Sequence, residues 1–159
     1  MENITIRVLP VSTDFAIEHK KEIDRVLHEN NFYSTIINDD YMIFLLLVTH
    51  KGKVPTIEGI GLTSKRFPVT LSSFCISNKY KGQKIGKYFY NLLEQSLNEM
   101  FLKMDVSLYQ ICLTSGKHNE GFYEKLGFSP SGYFKAGENS KLDEKDRTLT
   151  YFVKNIELK

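Results

Sequence analysis

Phe89, Leu92, Leu93, Leu97, Met100, Phe101 and Met104 recur at intervals of three and four residues over four turns. That spacing predicts one long helix with a single buried face. Apolar, β-prone runs lie on either side of it, Val69–Ile76 before and Ser107–Thr114 after. A strand–helix–strand unit of this size requires those two strands to run parallel. This one feature points to a sheet with at least one parallel pair of strands and a helix packed on it.

The rest of the chain builds outward from that unit. Ile4, Ile6 and Val8 alternate with polar residues, which predicts a first strand ended by Pro10. Ser12, Thr13 or Asp14 can cap a helix running to about Glu29, with Ala16, Ile23, Val26 and Leu27 as its apolar stripe. Phe32–Asn38 is expected to be a short helix or loop. Met42–Thr49, Thr56–Ser64 and Val69–Ile76 are separated by short turns, one of them Lys51-Gly52-Lys53, so they form an antiparallel meander. A short helix near Asn119–Leu126 stops at Gly127. Phe128–Ala136 and Thr148–Ile156 are the last two strands, joined by the polar loop Gly137–Arg147. The expected fold class is α/β: a central mixed sheet of about seven strands with helices on both faces, in one domain over residues 1–159.

Composition narrows the function classes. There are 21 basic and 19 acidic residues, a net charge of +2, which is too even for a dedicated nucleic-acid binder. The longest apolar run, Met42–Val48, is far short of a membrane span. Neither nucleic acid nor membrane is expected as a partner. Met1-Glu2-Asn3 lacks the layout of a signal peptide, and Cys75 and Cys112 have no metal-ligand spacing. No metal is expected. Buried thiols in a reducing compartment fit a cytoplasmic protein.

Between the fourth strand and the long helix lies Lys79-Tyr80-Lys81-Gly82-Gln83-Lys84-Ile85-Gly86-Lys87, with four lysines, two glycines and no acid. A strand passing through a glycine loop into a helix presents free N–H groups at the positive end of a helix dipole, which suits phosphate. It is not a nucleotide P-loop. Only three residues separate Gly82 from Gly86, and Tyr88 follows Lys87 where a magnesium-binding hydroxyl belongs. Read by spacing alone, a solvated basic turn is equally consistent.

A second motif lies further along: His118-Asn119-Glu120-Gly121-Phe122-Tyr123-Glu124-Lys125-Leu126-Gly127-Phe128. The two together, in this order, resemble the GCN5-related N-acetyltransferase (GNAT) superfamily over about Ile4–Ile156. There an (Arg/Gln)-x-x-Gly-x-(Gly/Ala) loop after strand 4 is followed by Phe-Tyr-x-x-x-Gly-Phe. Lys81 stands where Arg or Gln is usual, and Lys84 replaces the middle glycine. Gly116 replaces the usual asparagine, and the resemblance leaves open whether Asn119 takes over its contact.

The resemblance implies an acetyl-CoA-dependent N-acetyltransferase fold whose parallel strands 4 and 5 splay apart. The pantetheine arm would lie on the strand-4 backbone at Phe74, Cys75 and Ile76. The pyrophosphate would sit on Lys81, Gly82, Gln83, Lys84, Ile85, Gly86 and Lys87. Tyr123 would donate to the departing sulfur. A tyrosine of pKa ~10 giving its proton to a thiolate of pKa ~8.5 is uphill by ~2 kcal/mol, so its role is a polarising hydrogen bond. Strand 4 has no carboxylate, and Glu58, His118 or water relayed by Ser72, Ser73 or Tyr109 are the remaining base candidates. A missing base favours a low-pKa amine.

The pattern is most similar to N-terminal acetyltransferases of the actin type. The similarity lies in Glu58-Gly59-Ile60-Gly61-Leu62-Thr63-Ser64-Lys65-Arg66, in Leu113-Thr114-Ser115 and in Tyr151-Phe152-Val153-Lys154-Asn155-Ile156. It implies a peptide or protein N-terminus as acceptor. Lys65 and Arg66 would then meet an acidic substrate, with Lys135, Lys141, Lys145 and Arg147 completing a basic rim. The alternatives are a small amine, as in the glucosamine-phosphate acetyltransferases, or an inactive CoA-binding regulatory module.

Overall fold

Both faces of the central meander are apolar because both are covered. In the computed structural model, which describes residues 3–32, 37–137 and 148–158, the strands are β1 (Ile4–Val11), β2 (Tyr41–His50), β3 (Thr56–Ser64), β4 (Val69–Ile76), β5 (Leu108–Gly116), β6 (Ser129–Lys135) and β7 (Thr148–Glu157). They form one mixed sheet in the order β1-β2-β3-β4-β5-β7-β6. β1 to β4 are antiparallel neighbours, and β4 runs parallel to β5. Helices α1 (Thr13–Glu18) and α2 (Lys20–Glu29) cover one face, α3 (Ile85–Lys103) and α4 (Glu120–Lys125) the other.

On β2, Ile43 and Leu45 meet Ile23, Val26 and Leu27 of α2, while Phe44, Leu46 and Val48 meet the α3 side. A strand buried on both sides reads as a continuous apolar run, which is why Met42–Val48 does not alternate. α3 contributes Phe89, Tyr90, Leu93, Leu97 and Phe101, all buried. Each such side chain contributes about 1.5–3 kcal/mol by leaving water. The helix lies close to the sheet because β3 has glycine beneath it: a Cβ on Gly61 would stand 2.6 Å from Leu93 Cδ1.

Three boundaries differ from the sequence expectation. The first helix is two. His19 breaks it, its Nδ1 donating to the Phe15 carbonyl at 2.9 Å and its ring stacked on Phe15. Pro10 does not end β1, which continues to Val11, because β1 is an edge strand where a missing N–H costs no ladder bond. Met104 is not on the buried face of α3. The helix ends at Lys103 in a left-handed turn at Asp105 (φ 58°), with Val106 N–H bonded to Phe101 O, and Met104 is 61% exposed. The loop expected at Phe32–Asn38 falls partly, and that at Gly137–Arg147 almost wholly, outside the described residues.

Candidate active site

β4 and β5 pair at only two positions, Val69 with Ile111 and Thr70 with Cys112, and then part. The cause is a bulge. Leu62 of β3 pairs with Ser73 and Thr63 with Leu71, which leaves Ser72 unpaired. A bulge bends its strand and re-aims the residues beyond it. Ser77 N–H bonds Glu58 O of β3 at 2.8 Å. By alternation along β4, Cys75 also turns its backbone to β3, whereas Phe74 and Ile76 turn theirs into the gap. Of those groups, the Ile76 carbonyl accepts from Asn30 Nδ2 at 2.8 Å. The Phe74 ring faces Phe122 of α4 across the gap, with 6.3 Å between centroids.

The loop after β4 delivers the helix dipole to this gap. The first intrahelical bond of α3 runs from Tyr88 N–H to Lys84 O, so the amides of Ile85, Gly86 and Lys87 have no acceptor within the helix. Lys84 is left-handed at φ 62°, the conformation that glycine adopts without strain. That explains why Lys84 occupies a glycine position of the motif: the turn is the same and is made at some cost. A Cβ on Gly86 would lie 3.5 Å from the Phe122 ring and 3.7 Å from Ile76, so its Cα faces the mouth of the gap. Lys81, Gly82, Gln83 and Lys84 are exposed, and Gln83 Nε2 ties back to Lys79 O at 2.9 Å.

Tyr123 enters from α4. The helix stops at Gly127 (φ 93°), where Phe128 N–H bonds Tyr123 O. That turn folds Phe128 back, and the Tyr123 ring packs among Phe122, Phe128 and Phe152. It is 8% exposed. Burial, with the neighbouring Cys75, pushes its pKa up to about 12, against a hydrogen bond from the Ser115 side chain that favours the ionised form. Ser115 Oγ accepts from Asn119 Nδ2 at 3.0 Å. Asn119 therefore acts on Tyr123 through Ser115.

The family model for the acetyltransferase (GNAT) domain matches residues 11–140. The chain belongs to the GNAT acetyltransferase family. No curated protein matches it by sequence. Among solved structures it is similar to the ribosomal-protein-S18-alanine N-acetyltransferase of Escherichia coli (TM-score 0.71, 15% identity, 98% of this chain and 96% of that one). It is also similar to Arabidopsis thaliana Naa50 bound to the bisubstrate analogue CoA-Ac-MVNAL (TM-score 0.63, 15% identity, 94% and 97%). The spermidine N-acetyltransferase SpeG of Vibrio cholerae has the same fold (TM-score 0.63, 13% identity, 96% and 94%).

GNAT proteins use acetyl-CoA, and the residues present fit it. The loop amides of this GNAT domain suit a pyrophosphate, and the gap-facing backbone groups of Phe74 and the N–H of Ile76 suit an amide-bearing arm. Acetyl-CoA supplies the activated thioester. Ser115, already accepting from Asn119, can donate to Tyr123 Oη, which leaves the phenolic proton for the sulfur. With the tyrosine near 12 and a thiol near ~8.5, complete proton transfer is uphill by about 5 kcal/mol, so Tyr123 polarises by hydrogen bonding. Burial likewise pushes the Cys75 thiol up to about 12, which keeps it neutral and unsuited to nucleophilic attack.

Not every expected residue converges. Lys65 and Arg66 are exposed on the turn between β3 and β4, at the closed end of the gap, roughly 20 Å of extended strand from Cys75. Lys141, Lys145 and Arg147 lie outside the described residues. Two base candidates are committed elsewhere. Tyr109 is buried and donates to Asn98 Oδ1 at 2.6 Å. Glu58 is 1% exposed and ion-paired with Arg25 and Lys79. The Ser72 bulge had a sequence signal: the apolar positions Val69 and Leu71 shift by one to Phe74 and Ile76.

Proposed function

We propose that this GNAT domain transfers the acetyl group of acetyl-CoA to the α-amine of a protein or peptide N-terminus. One observation carries the reading: neither wall of the gap, β4 or β5, holds an acid, and the nearby Glu58 is held by two cations. Without a carboxylate base on either wall, an amine that arrives neutral is favoured. A lysine side chain of pKa ~10.4 is below ~0.1% neutral near pH 7, whereas an α-amine of pKa ~7.7–8.0 is ~10–20% neutral. The amine nitrogen attacks the thioester carbon, the tetrahedral oxyanion forms beside N–H groups of β4, and the C–S bond breaks with Tyr123 donating to sulfur. The amine's proton leaves to water, which reaches exposed Ser72 and half-buried Ser73. Exposed Lys65 and Arg66 act as long-range attraction for acidic acceptors and make no contact with the reacting atoms.

Neighbours named for an alanine N-acetyltransferase and for a CoA–peptide analogue support this reading. The spermidine enzyme among them makes a small amine the second reading. Initial rates with three acceptors decide: an acidic peptide with a free α-amine, the same peptide blocked there but carrying an internal lysine, and glucosamine 6-phosphate. The first turns over fastest. Faster acetylation of the blocked peptide reveals a base, and faster acetylation of the sugar assigns a small-molecule acceptor. Binding of acetyl-CoA with no turnover of any acceptor points to a regulatory module.

A further inference from the structure

The stem of the cofactor loop, residues 76 to 79, is fastened residue by residue to α2 and β3. Asn30 Nδ2, at the end of α2, holds the Ile76 carbonyl at 2.8 Å. Ser77 N–H bonds Glu58 O, and the Ser77 hydroxyl donates to the Glu58 carboxylate. Asn78 N–H donates to Glu29 Oε2 at 2.9 Å. Lys79 Nζ stands 3.0 Å from Glu58 Oε1. Arg25 joins the two acids, 3.3 Å from Glu58 Oε2 and 3.0 Å from Glu29 Oε1, and donates to Ile57 O at 2.8 Å.

Glu58 is placed for this by a second bulge. Leu46 pairs with Gly59 and Leu47 with Ile57, so Glu58 is the residue left over on β3. Burial costs the Glu58 carboxylate desolvation, but the bonds from Ser77 and Lys79 and the charge of Arg25 outweigh it and hold its pKa below the usual carboxylate range, so the cluster keeps Glu58 ionised. Its value lies in direction. Amides at 85–87 bind one phosphate only if they converge, and a misplacement of about 1 Å is enough to lose a large factor in a preorganised site.

We infer that Glu58 is a positioning residue for acetyl-CoA: with Arg25, Glu29 and Asn30 it fixes the exit of β4, so that the loop amides and the gap-facing groups of Phe74 and Ile76 stand in register for one ligand. Of the four lysines in the loop segment, Lys79 belongs to this clasp. The inference rests on the acetyl-CoA site described above and is independent of the acceptor.

The test is a double-mutant cycle read by calorimetric titration with acetyl-CoA and by steady-state rates. Glu58→Gln and Lys79→Gln each weaken acetyl-CoA binding about tenfold, and the double variant is no weaker than the worse single one, because both break one unit. KM for acetyl-CoA rises with Kd, and kcat at saturation stays within about twofold, since nothing at the reacting atoms changes. Unchanged affinity in folded Glu58→Gln overturns the inference. So does tighter binding, the result expected if the carboxylate merely opposes the phosphate charge. Additive losses place Lys79 on the phosphate and overturn it too. If Glu58→Gln fails to fold, Asn30→Ala removes the tie to Ile76 and a bond to the Val26 carbonyl of its own helix, and leaves Glu58 and its ion pairs in place. It shows the same rise in KM without loss of kcat, and unaltered KM there counts against the clasp. Wild-type protein that fails to bind acetyl-CoA removes the cofactor site, and the inference with it.

Discussion

Tyr123→Phe lowers kcat and kcat/KM together, by roughly 10–1000-fold, and leaves acetyl-CoA affinity unchanged. The ring keeps its place in the variant, because Phe122, Phe128 and Phe152 pack against carbon atoms that phenylalanine retains. Only the hydroxyl is lost, with its link to Ser115. One such bond is worth about 1 kcal/mol of stability, so the protein stays folded. The hydroxyl matters when charge develops on sulfur, which is the transition state and not the bound substrate. With its pKa pushed up to about 12, the tyrosine stays protonated across ordinary assay pH, and the wild-type pH–rate profile shows no alkaline limb from it below about pH 11. Steady-state rates paired with calorimetric titration check this. Wild-type kcat in the variant means that the ring only packs.

Gly86→Val abolishes acetyl-CoA binding while the fold persists. The first carbon added fits, since a Cβ there meets the Phe122 ring and Ile76 at ordinary van der Waals distance. The two further methyls add bulk beside the amides that are expected to meet phosphate. Valine costs the first turn of a helix no more than glycine does, so thermal unfolding stays close to wild type. The amides at 85–87 remain, but a phosphate cannot approach them past the branched side chain. A loss of affinity of at least about 100-fold is expected, against an unchanged unfolding midpoint. Wild-type affinity in this variant moves the cofactor elsewhere.

Much of this was legible in the sequence. The β2 run reads as doubly buried, the α3 stripe reads as one face, and Gly127 reads as a helix stop; all three are local patterns whose physics acts within a few residues. The loop at Lys81–Lys87 and the Phe122-Tyr123 pair are also local, and the fold brings them to one gap through Gly86 and Phe122. What the sequence hid depends on partners far along the chain. Pro10 looks like a terminator unless β1 is known to be an edge. Glu58 looks like a free acid until Arg25, 33 residues earlier, and Lys79 close on it. Lys65 and Arg66 are near the site in sequence, but an extended strand carries them away from it. The His19 break is marked by the Phe15 carbonyl, which accepts from both the His19 N–H and the His19 ring.

The most direct test of the account is where the acetyl group goes. A peptide with both a free α-amine and an internal lysine is incubated with acetyl-CoA and the protein, and the product is fragmented in a mass spectrometer. Acid-free gap walls predict the acetyl group on the α-nitrogen, with the lysine unmodified during the first turnover. Acetyl on the lysine ε-nitrogen, with the α-amine left free, contradicts the account.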